Sequence, residues 1–181
     1  MVKFLPGNNL SGKLFSEAFM NKPKGKILVS ACLYGHACKY DGTNNLLRDK
    51  TFQILKNTGR LIPVCPEQLG GLPTPRVPSE IKDGKVINKD GIDVTSEFEL
   101  GAEKALQIAR ENGVRVAILK QGSPSCGCKM IYDGTFSGTK IKGEGVTARK
   151  LVEAGIPVFD ETESSFAKLL ADGNPDDHHH H

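Results

Sequence analysis

Lys26-Ile27-Leu28-Val29-Ser30 is a short apolar run that leads straight into Ala31-Cys32, and it is the stretch that decides the predicted fold. Its apolar residues follow one another without polar alternation, which is typical of a strand covered on both faces in a parallel sheet. Arg60–Val64, Val114–Leu119 and Ile156–Phe159 are predicted strands further along the chain. Because helical patterns separate these strands, we predict an α/β fold, a three-layer sandwich with a mostly parallel, Rossmann-like sheet.

Helical patterns, turns and loops lie between the predicted strands. Gly59 and Gly113 follow two of the helical patterns and are predicted to end those helices. The Tyr-Asp-Gly sequences at Tyr40 and Tyr132 predict turns. The predicted helices cover the stretch from 46 to the cap at 59, 95–112, 146–153 and 162–170, a small hairpin is predicted at 82–87, and loops are predicted at 66–78 and 120–142.

The chain length suits one domain with two short terminal parts. The 181 residues end in four histidines that resemble a purification tag. The remainder is long enough for one substantial core, since chains divide into several domains more often above roughly 250 residues. We predict an N-terminal appendage over residues 1–25, with a short helical pattern from Ser11 to Met20, a single domain over residues 26–172, and a tail with the tag over residues 173–181.

Charge and hydropathy restrict the partners. The net charge is +3 and the basic residues are scattered, which argues against nucleic acid as the partner. No apolar run approaches the ~18 residues of a membrane span, so no membrane partner is expected. The first residues do not have the pattern of a signal peptide, and the cytoplasm is the predicted compartment. The sequence does not predict the oligomeric state.

Five cysteines and very few histidines restrict the chemistry. In the cytoplasm cysteines stay reduced, so the five cysteines do not predict a disulfide framework. Four of the five histidines belong to the tag, which leaves only His36. Mechanisms that need a pair of histidines, a Ser-His triad or a histidine-rich zinc site are therefore disfavoured.

Three of the cysteines share one position relative to the predicted strands. Cys32 follows the first strand, Cys65 follows the second, and Cys126 lies in the loop that leaves the third. The carboxyl ends of parallel strands lie along one edge of a sheet, and ligands bind in the crevice outside them. A buried cysteine is often an inert small apolar residue, but three at equivalent strand ends predict a metal centre.

The absence of an evident fourth ligand favours an iron–sulfur cluster over a closed zinc site. A closed zinc site uses four ligands, usually with paired cysteines that have two to four other residues between them, and this chain has no such pair. Three thiolates with an open fourth position fit a cubane iron–sulfur cluster, although zinc held by three cysteines and water stays an alternative. Cys38 and Cys128 are each close enough in sequence to supply a fourth ligand, and we predict that both are spectators.

Four blocks of sequence, in order, resemble the thiouracil desulfidase family. The resemblance extends over roughly residues 26–160 and leaves the first 25 residues outside it. The blocks are Val29–Gly35 with Lys39–Gly42, Cys65–Arg76, Ser123–Gly127 with Ile131–Gly138, and Gly143–Ala148.

The resemblance implies a non-redox desulfuration of thiouracil to uracil. It further implies a [4Fe-4S] cluster held by Cys32, Cys65 and Cys126, with one iron free to capture the substrate sulfur. That iron would act as a Lewis acid on the carbon–sulfur bond. The predicted partner is a small thiolated pyrimidine, as the free base or the nucleoside.

Water must then add to the ring, and this step needs a base. Glu67, two residues past a predicted ligand, is placed to be that base, and the resemblance points to the same carboxylate. Ser123 precedes Cys126 by three residues and is predicted to hydrogen-bond or to relay a proton. Arg76 and Tyr40 are weaker candidates, for binding a carbonyl group or for stacking on the base.

Two other functions stay open at this point. The first is a binding protein stabilised by zinc or thiols and without catalysis. The second is a cluster enzyme that acts on thiouridine within transfer RNA. The sequence contains no second domain of the kind attached in relatives that act on transfer RNA, and this favours a free base or nucleoside.

Overall fold

A computed structural model describes residues 25–173 of the chain. A parallel sheet lies at its centre, with the strand order β2-β1-β5-β8. Two antiparallel hairpins, β3-β4 and β6-β7, lie outside this sheet. The strands are β1 (Lys26–Ser30), β2 (Leu61–Val64), β3 (Ser79–Lys82), β4 (Lys85–Asn88), β5 (Val114–Leu119), β6 (Met130–Tyr132), β7 (Lys140–Lys142) and β8 (Val158–Asp160).

Helices cover both faces of the parallel sheet. They are α1 (Ala31–Tyr34), α2 (Lys50–Asn57), α3 (Pro66–Leu69), α4 (Thr95–Glu111), α5 (Val146–Glu153) and α6 (Ser164–Asp172), and a 3₁₀ turn at Glu161–Glu163 precedes α6. None of the helices in residues 25–173 is long and apolar enough to cross a membrane.

The core consists of two layers of side chains on either side of the sheet. Ile27 and Val29 of β1 face α2 and α6, whereas Leu28 faces α4 and α5, and all three are fully buried. The unbroken apolar run at 26–30 thus reflects a strand covered on both sides. The predicted three-layer α/β fold with a mostly parallel sheet is confirmed.

Local signals explain where the helices begin and end. The side chain of Asp49 accepts a hydrogen bond from the N–H of Phe52 and caps α2, which therefore starts after Leu46 rather than at it. The sequence predicts Thr95 or Ser96 as the cap of the long helix α4; the helix begins at Thr95 itself, after Val94 at the N-cap position, and no side chain caps it. The chain leaves α4 through Gly113, whose φ of 62° suits glycine.

Two stretches predicted as loops contain short elements. Residues 66–78 begin with α3, whose first residue is Pro66, a position that proline favours because its missing N–H has no partner there. Residues 120–142 contain the hairpin strands β6 and β7, each three residues long. These elements are too short for a hydrophobic period to reveal them. The parts predicted at residues 1–24 and 174–181 lie outside the described residues.

Candidate metal centre

A cleft of about 530 Å³ opens where β1, β2 and β5 end. The residues directly after these strands, Ala31, Cys65 and Lys120, all line it. Its size is typical of a small-molecule site. Every residue that the sequence predicted for the site lines this one cleft: Cys32, Tyr40, Cys65, Glu67, Arg76, Ser123 and Cys126.

The sheet topology brings the three predicted ligands together. Cys65 follows β2, Cys32 lies in the first turn of α1 after β1, and the loop from β5 carries Cys126, so the three follow neighbouring strands. Cys32 and Cys65 pack with the core beneath α2 and α6, whereas Cys126 packs with the core on the opposite face. The cleft therefore straddles the edge of the sheet.

Cys38 lies in the same cleft, although the sequence predicts it to be a spectator. It is 5% exposed, and its thiol hydrogen-bonds to both Cys32 and Cys65. The hydrogen bond from Cys38 is the main cause that lowers the pKa of Cys32 and of Cys65 to about 7, against the burial of each thiol. The same two contacts hold the pKa of Cys38 well above its ordinary value. The lowered pKa of Cys32 and of Cys65 favours the thiolate form, which is the form that binds metal.

Cys128, the other ambiguous cysteine, does not line the cleft. Burial raises the pKa of its thiol to about 11, and the carboxylates of Asp160 and Glu163 add to the rise. Burial also raises the pKa of Cys126 above its ordinary value, and a hydrogen bond from Ser30 opposes the rise. Within residues 25–173, no group of three or more His, Cys, Asp or Glu side chains is arranged to hold a metal ion.

A polar group other than a cysteine lowers the pKa of each of the three predicted ligand thiols. Nδ2 of Asn45 donates to Sγ of Cys32 at 3.4 Å. The backbone N–H of Gln68 lowers the pKa of Cys65, and the hydroxyl of Ser30 lowers the pKa of Cys126. Sequence reasoning missed Ser30 and Asn45. Ser30 could have been found from its position as the polar last residue of an otherwise apolar strand, but no sequence signal pointed to Asn45.

Hydrogen bonds within its own loop hold Cys126 in place. Oγ of Ser123 accepts hydrogen bonds from the N–H groups of Ser125 and Cys126, at 3.0 and 2.9 Å. The hydroxyls of Ser125 and Thr147 lie 2.8 Å apart and join this loop to the start of α5. Gly145 packs closely on the backbone of this loop, so that a Cβ at residue 145 would collide with the carbonyl group of Ser125 and would lie 2.8 Å from the carbonyl oxygen of Pro124. Ser123 thus orients a predicted ligand, and its O–H remains able to donate.

Glu67 and Arg76 meet at the cleft as an ion pair. Nε of Arg76 donates to Oε2 of Glu67 at 3.2 Å, and the side chains of Arg76 and Glu67 are only 6% and 18% exposed. Nη1 of Arg76 donates to the carbonyl of Pro73 and to Oγ1 of Thr74, and Nη2 donates to the carbonyl of Cys38 at 3.0 Å. All three nitrogens of Arg76 therefore contact protein, and its binding of substrate stays a prediction.

Aromatic side chains line the rim of the cleft. Tyr40 is 44% exposed, and its carbonyl accepts a hydrogen bond from the N–H of Arg76 at 2.6 Å. Tyr132 and Phe136 also line the cleft, and the sequence did not single them out as site residues. Buried Glu80 accepts hydrogen bonds from the N–H groups of Gly134 and Phe136, at 3.0 and 3.1 Å, and so fixes this part of the rim.

The fold and the cleft define a general class, an α/β domain with a cleft lined by thiols at the carboxyl edge of a parallel sheet. The particular family follows from comparison with known proteins. The model of the 2-thiouracil desulfurase family matches residues 27–163, which is more than half of the chain. The chain belongs to this family.

Two individual relatives are similar over most of their length. The uncharacterized protein YbbK of Bacillus subtilis (strain 168) is 43% identical over 147 residues, covering 76% of this chain and 96% of that protein. The solved structure of the [4Fe-4S]-dependent thiouracil desulfidase TudS is 46% identical with a TM-score of 0.76, covering 77% of this chain and 93% of that one. The predicted family and the prediction of a desulfidase enzyme are confirmed, and the predicted cofactor is the one on which TudS depends.

Proposed function

We propose that this chain hydrolyses the carbon–sulfur bond of 2- or 4-thiouracil, as the base or the nucleoside, and releases uracil and sulfide. The observation that carries the proposal is the meeting of Cys32, Cys65, Cys126, Glu67 and Ser123 in one cleft of small-molecule size. One water molecule is consumed: its oxygen forms the new carbonyl group, and sulfur leaves as hydrogen sulfide. No electrons are gained or lost.

The donor set fits a [4Fe-4S] cluster. In such a cluster each cysteine binds a different iron, so the cluster needs separate thiolates rather than three donors around one ion. Cys32, Cys65 and Cys126 would hold it, and the hydrogen bonds to their sulfurs are the kind of contact that tunes a cluster. When bound, the cluster supplies one iron with an open position, a Lewis acid for the sulfur of the substrate.

The side chains around the cysteines carry the proton transfers. The carboxylate of Glu67 accepts a proton from the attacking water. The hydroxyl of Ser123 already accepts two hydrogen bonds through its oxygen, so its proton is available for donation into the cleft. The exposed ring of Tyr40 at the rim offers a flat apolar surface on which a pyrimidine can stack.

Anaerobic reconstitution with iron and sulfide tests the cluster and the activity together. We expect the wild-type protein to show the absorption of an iron–sulfur cluster and to convert thiouracil to uracil. We expect the cluster to be lost in each of the variants Cys32→Ala, Cys65→Ala and Cys126→Ala, because each substitution removes one of its three protein ligands. Cys128→Ala is the matched control outside the cleft and should retain both iron and activity.

Cys38→Ala gives the sharpest test of the ligand set, because Cys38 is buried in the cleft beside two of the predicted ligands. We expect this variant to bind the same amount of iron and sulfide as the wild type. Loss of the cluster in Cys38→Ala would make Cys38 a fourth ligand and contradict the proposed open iron. A colourless protein that binds one zinc ion would contradict the cluster altogether.

A further inference from the structure

The buried carboxylate of Glu80, in β3, has two oxygens with different contacts. Oε1 accepts hydrogen bonds from the backbone N–H groups of Gly134 and Phe136, at 3.0 and 3.1 Å. Oε2 has no hydrogen-bond or ion-pair partner among residues 25–173, although Glu80 is only 8% exposed. Burying a carboxylate is costly unless its oxygens are hydrogen-bonded. The unpaired oxygen therefore points to a ligand that supplies the missing donor.

A small molecule in the cleft can reach Oε2. Glu80 lines the cleft together with Cys32, Cys65 and Cys126. Oε2 is not among the fully enclosed side-chain atoms that lack a hydrogen bond in the described part of the chain, so it keeps some contact with solvent. Because the backbone occupies Oε1, Oε2 is the atom of Glu80 that is free to bind a molecule in the cleft.

The loop between β6 and β7 holds Glu80 in this orientation. Phe136, in that loop, has a φ of 58°, which lies in the left-handed region that bulky residues rarely adopt. Gly134, in the same loop, packs so closely on β3 that a Cβ would lie 2.7 Å from Cβ of Lys82. Rotation of the Glu80 side chain would leave two backbone N–H groups without their acceptor, so Oε1 stays on the loop.

The chemistry of a carboxylate oxygen restricts what it can bind. Such an oxygen only accepts hydrogen bonds, so the ligand must present a donor. In 2-thiouracil and in 4-thiouracil alike, the ring N3–H is adjacent to the carbon that carries the sulfur. In a nucleoside the sugar occupies N1, whereas N3 keeps its hydrogen. N3–H is therefore the one ring N–H donor that every substrate of the proposed function shares.

We propose that Oε2 of Glu80 accepts a hydrogen bond from N3–H of the pyrimidine and so selects substrates whose N3 is unsubstituted. This inference rests on the proposed function, since it names how the same cleft recognises its substrate. The aromatic rings of Tyr40, Tyr132 and Phe136 line the cleft and offer flat surfaces to the pyrimidine. Stacking leaves the ring free to rotate in its own plane, and the hydrogen bond to Glu80 fixes that rotation.

Glu80→Gln tests the hydrogen bond without releasing the loop. Its amide oxygen can still accept from Gly134 and Phe136, so its NH₂ group, which is a donor, takes the place of Oε2. Loss of a hydrogen bond to a charged group should weaken binding about 10–100-fold. By isothermal titration calorimetry, we expect the reconstituted variant to bind uracil, the product, more weakly than the wild type by that factor. Binding of 3-methyluracil, which has no N3–H, should be weak in the wild type and no weaker in the variant.

Two further variants separate recognition of N3–H from a purely structural role. Glu153→Gln, at an exposed position of α5, is the matched control and should keep the wild-type preference for uracil over 3-methyluracil. Glu80→Ala removes the contacts to the loop as well. If uracil binding fell in Glu80→Ala but kept its wild-type affinity in Glu80→Gln, Glu80 would only hold the loop, and the inference would be overturned.

The binding measurement is independent of turnover, so the two proposals can fail separately. Equal affinity of the wild type for uracil and 3-methyluracil, or no binding of uracil, would overturn the recognition of N3–H. Turnover of thiouracil with an undiminished preference for uracil in Glu80→Gln would overturn it too, while the proposed function would stand. A preference that Glu80→Gln abolishes, in a protein that does not desulfurate thiouracil, would support the recognition and contradict the proposed function.

Discussion

Glu67 and Arg76 form the contact on which the proposed chemistry depends most directly. A general base contributes roughly 10²–10⁴-fold to a rate, so we expect Glu67→Gln to lower kcat by that order while the cluster is retained. Arg76 holds Glu67 by an ion pair and does not reach the cleft with a free nitrogen. We therefore expect Arg76→Gln to lower kcat by about 100-fold, as misplacement of a reacting group does, with little change in KM.

A variant that combines Glu67→Gln with Arg76→Gln shows whether Arg76 positions Glu67 or binds the substrate. If Arg76 acts through Glu67, then Arg76→Gln should cost little more once Glu67→Gln is present. A rise in KM with kcat preserved would show instead that Arg76 binds the substrate. Arg110→Gln, on the exposed side of α4, is the control, and the iron content of each variant shows whether the cleft is intact.

The predictability of the site residues depended on whether they follow strands. Cys32 and Cys65 come directly after apolar runs, so parallel topology was enough to bring them together. Asn45 approaches Cys32 only through the path of the loop before α2, and Cys38 contacts Cys65, which lies 27 residues further along the chain. Such contacts depend on the conformation of a loop, which no periodic pattern in the sequence encodes.

The sequence predicts only those helices and strands that are long enough to repeat an apolar pattern. The strands and the long helix α4 repeat their apolar pattern often enough to be recognised, whereas α3 is a single turn. That turn matters for the site because it carries Glu67 and begins directly after Cys65. Its position is set by packing on α4. Gly70, at the end of α3, lies against the backbone of α4, and Gly101 of α4 lies against the backbone of α3.

Gly101→Ala tests how closely α3 must pack on α4. A Cβ at residue 101 would collide with the carbonyl oxygen of Pro66 and would lie 3.3 Å from the nitrogen of Gly70. Alanine favours a helix by about 1 kcal/mol over glycine, but overpacking typically costs about 1–3 kcal/mol. We expect urea denaturation to show a lower free energy of unfolding.

The control for this variant is Glu99→Ala, at an exposed position of the same helix. It should leave the free energy of unfolding within about 0.5 kcal/mol of the wild-type value. A Gly101→Ala protein as stable as the wild type would mean that α3 moves away without cost. In that case we would expect a loss of kcat, because Glu67 would move with α3.

On the scale of the whole molecule, Arg60 joins the beginning of the domain to its end. Its guanidinium donates to the carbonyl of Gly25 before β1 and pairs with Asp172 at the end of α6, Nη1 to Oδ1, at 2.6 Å. Lys168 donates to the other oxygen of Asp172 at 2.7 Å. This arrangement depends on residues far apart in sequence, and it could not be foreseen from local patterns.

Acid should weaken the ion pair between Arg60 and Asp172. Burial alone would raise the pKa of Asp172, but the hydrogen bond from Lys168 and the pairing with Arg60 outweigh it, so the pKa lies below its usual value in the folded protein. An unfolded aspartate has a pKa of about 3.9. The stabilisation is therefore present above about pH 4 and is lost as the pH falls through the folded pKa, because the unfolded chain then binds the proton more readily.

Thermal unfolding measured between neutral and acidic pH tests this contribution. We expect Tm of the wild type to fall on acidification and Asp172→Asn to make that fall shallower, because the variant has no carboxylate to protonate at this position. Asp90→Asn, in an exposed turn, should keep the wild-type pH dependence. If Asp172→Asn followed the wild-type curve at a constant offset, the carboxylate would not be the group that couples protonation to folding, and Asp160, whose pKa is also lowered, would be the next residue to substitute.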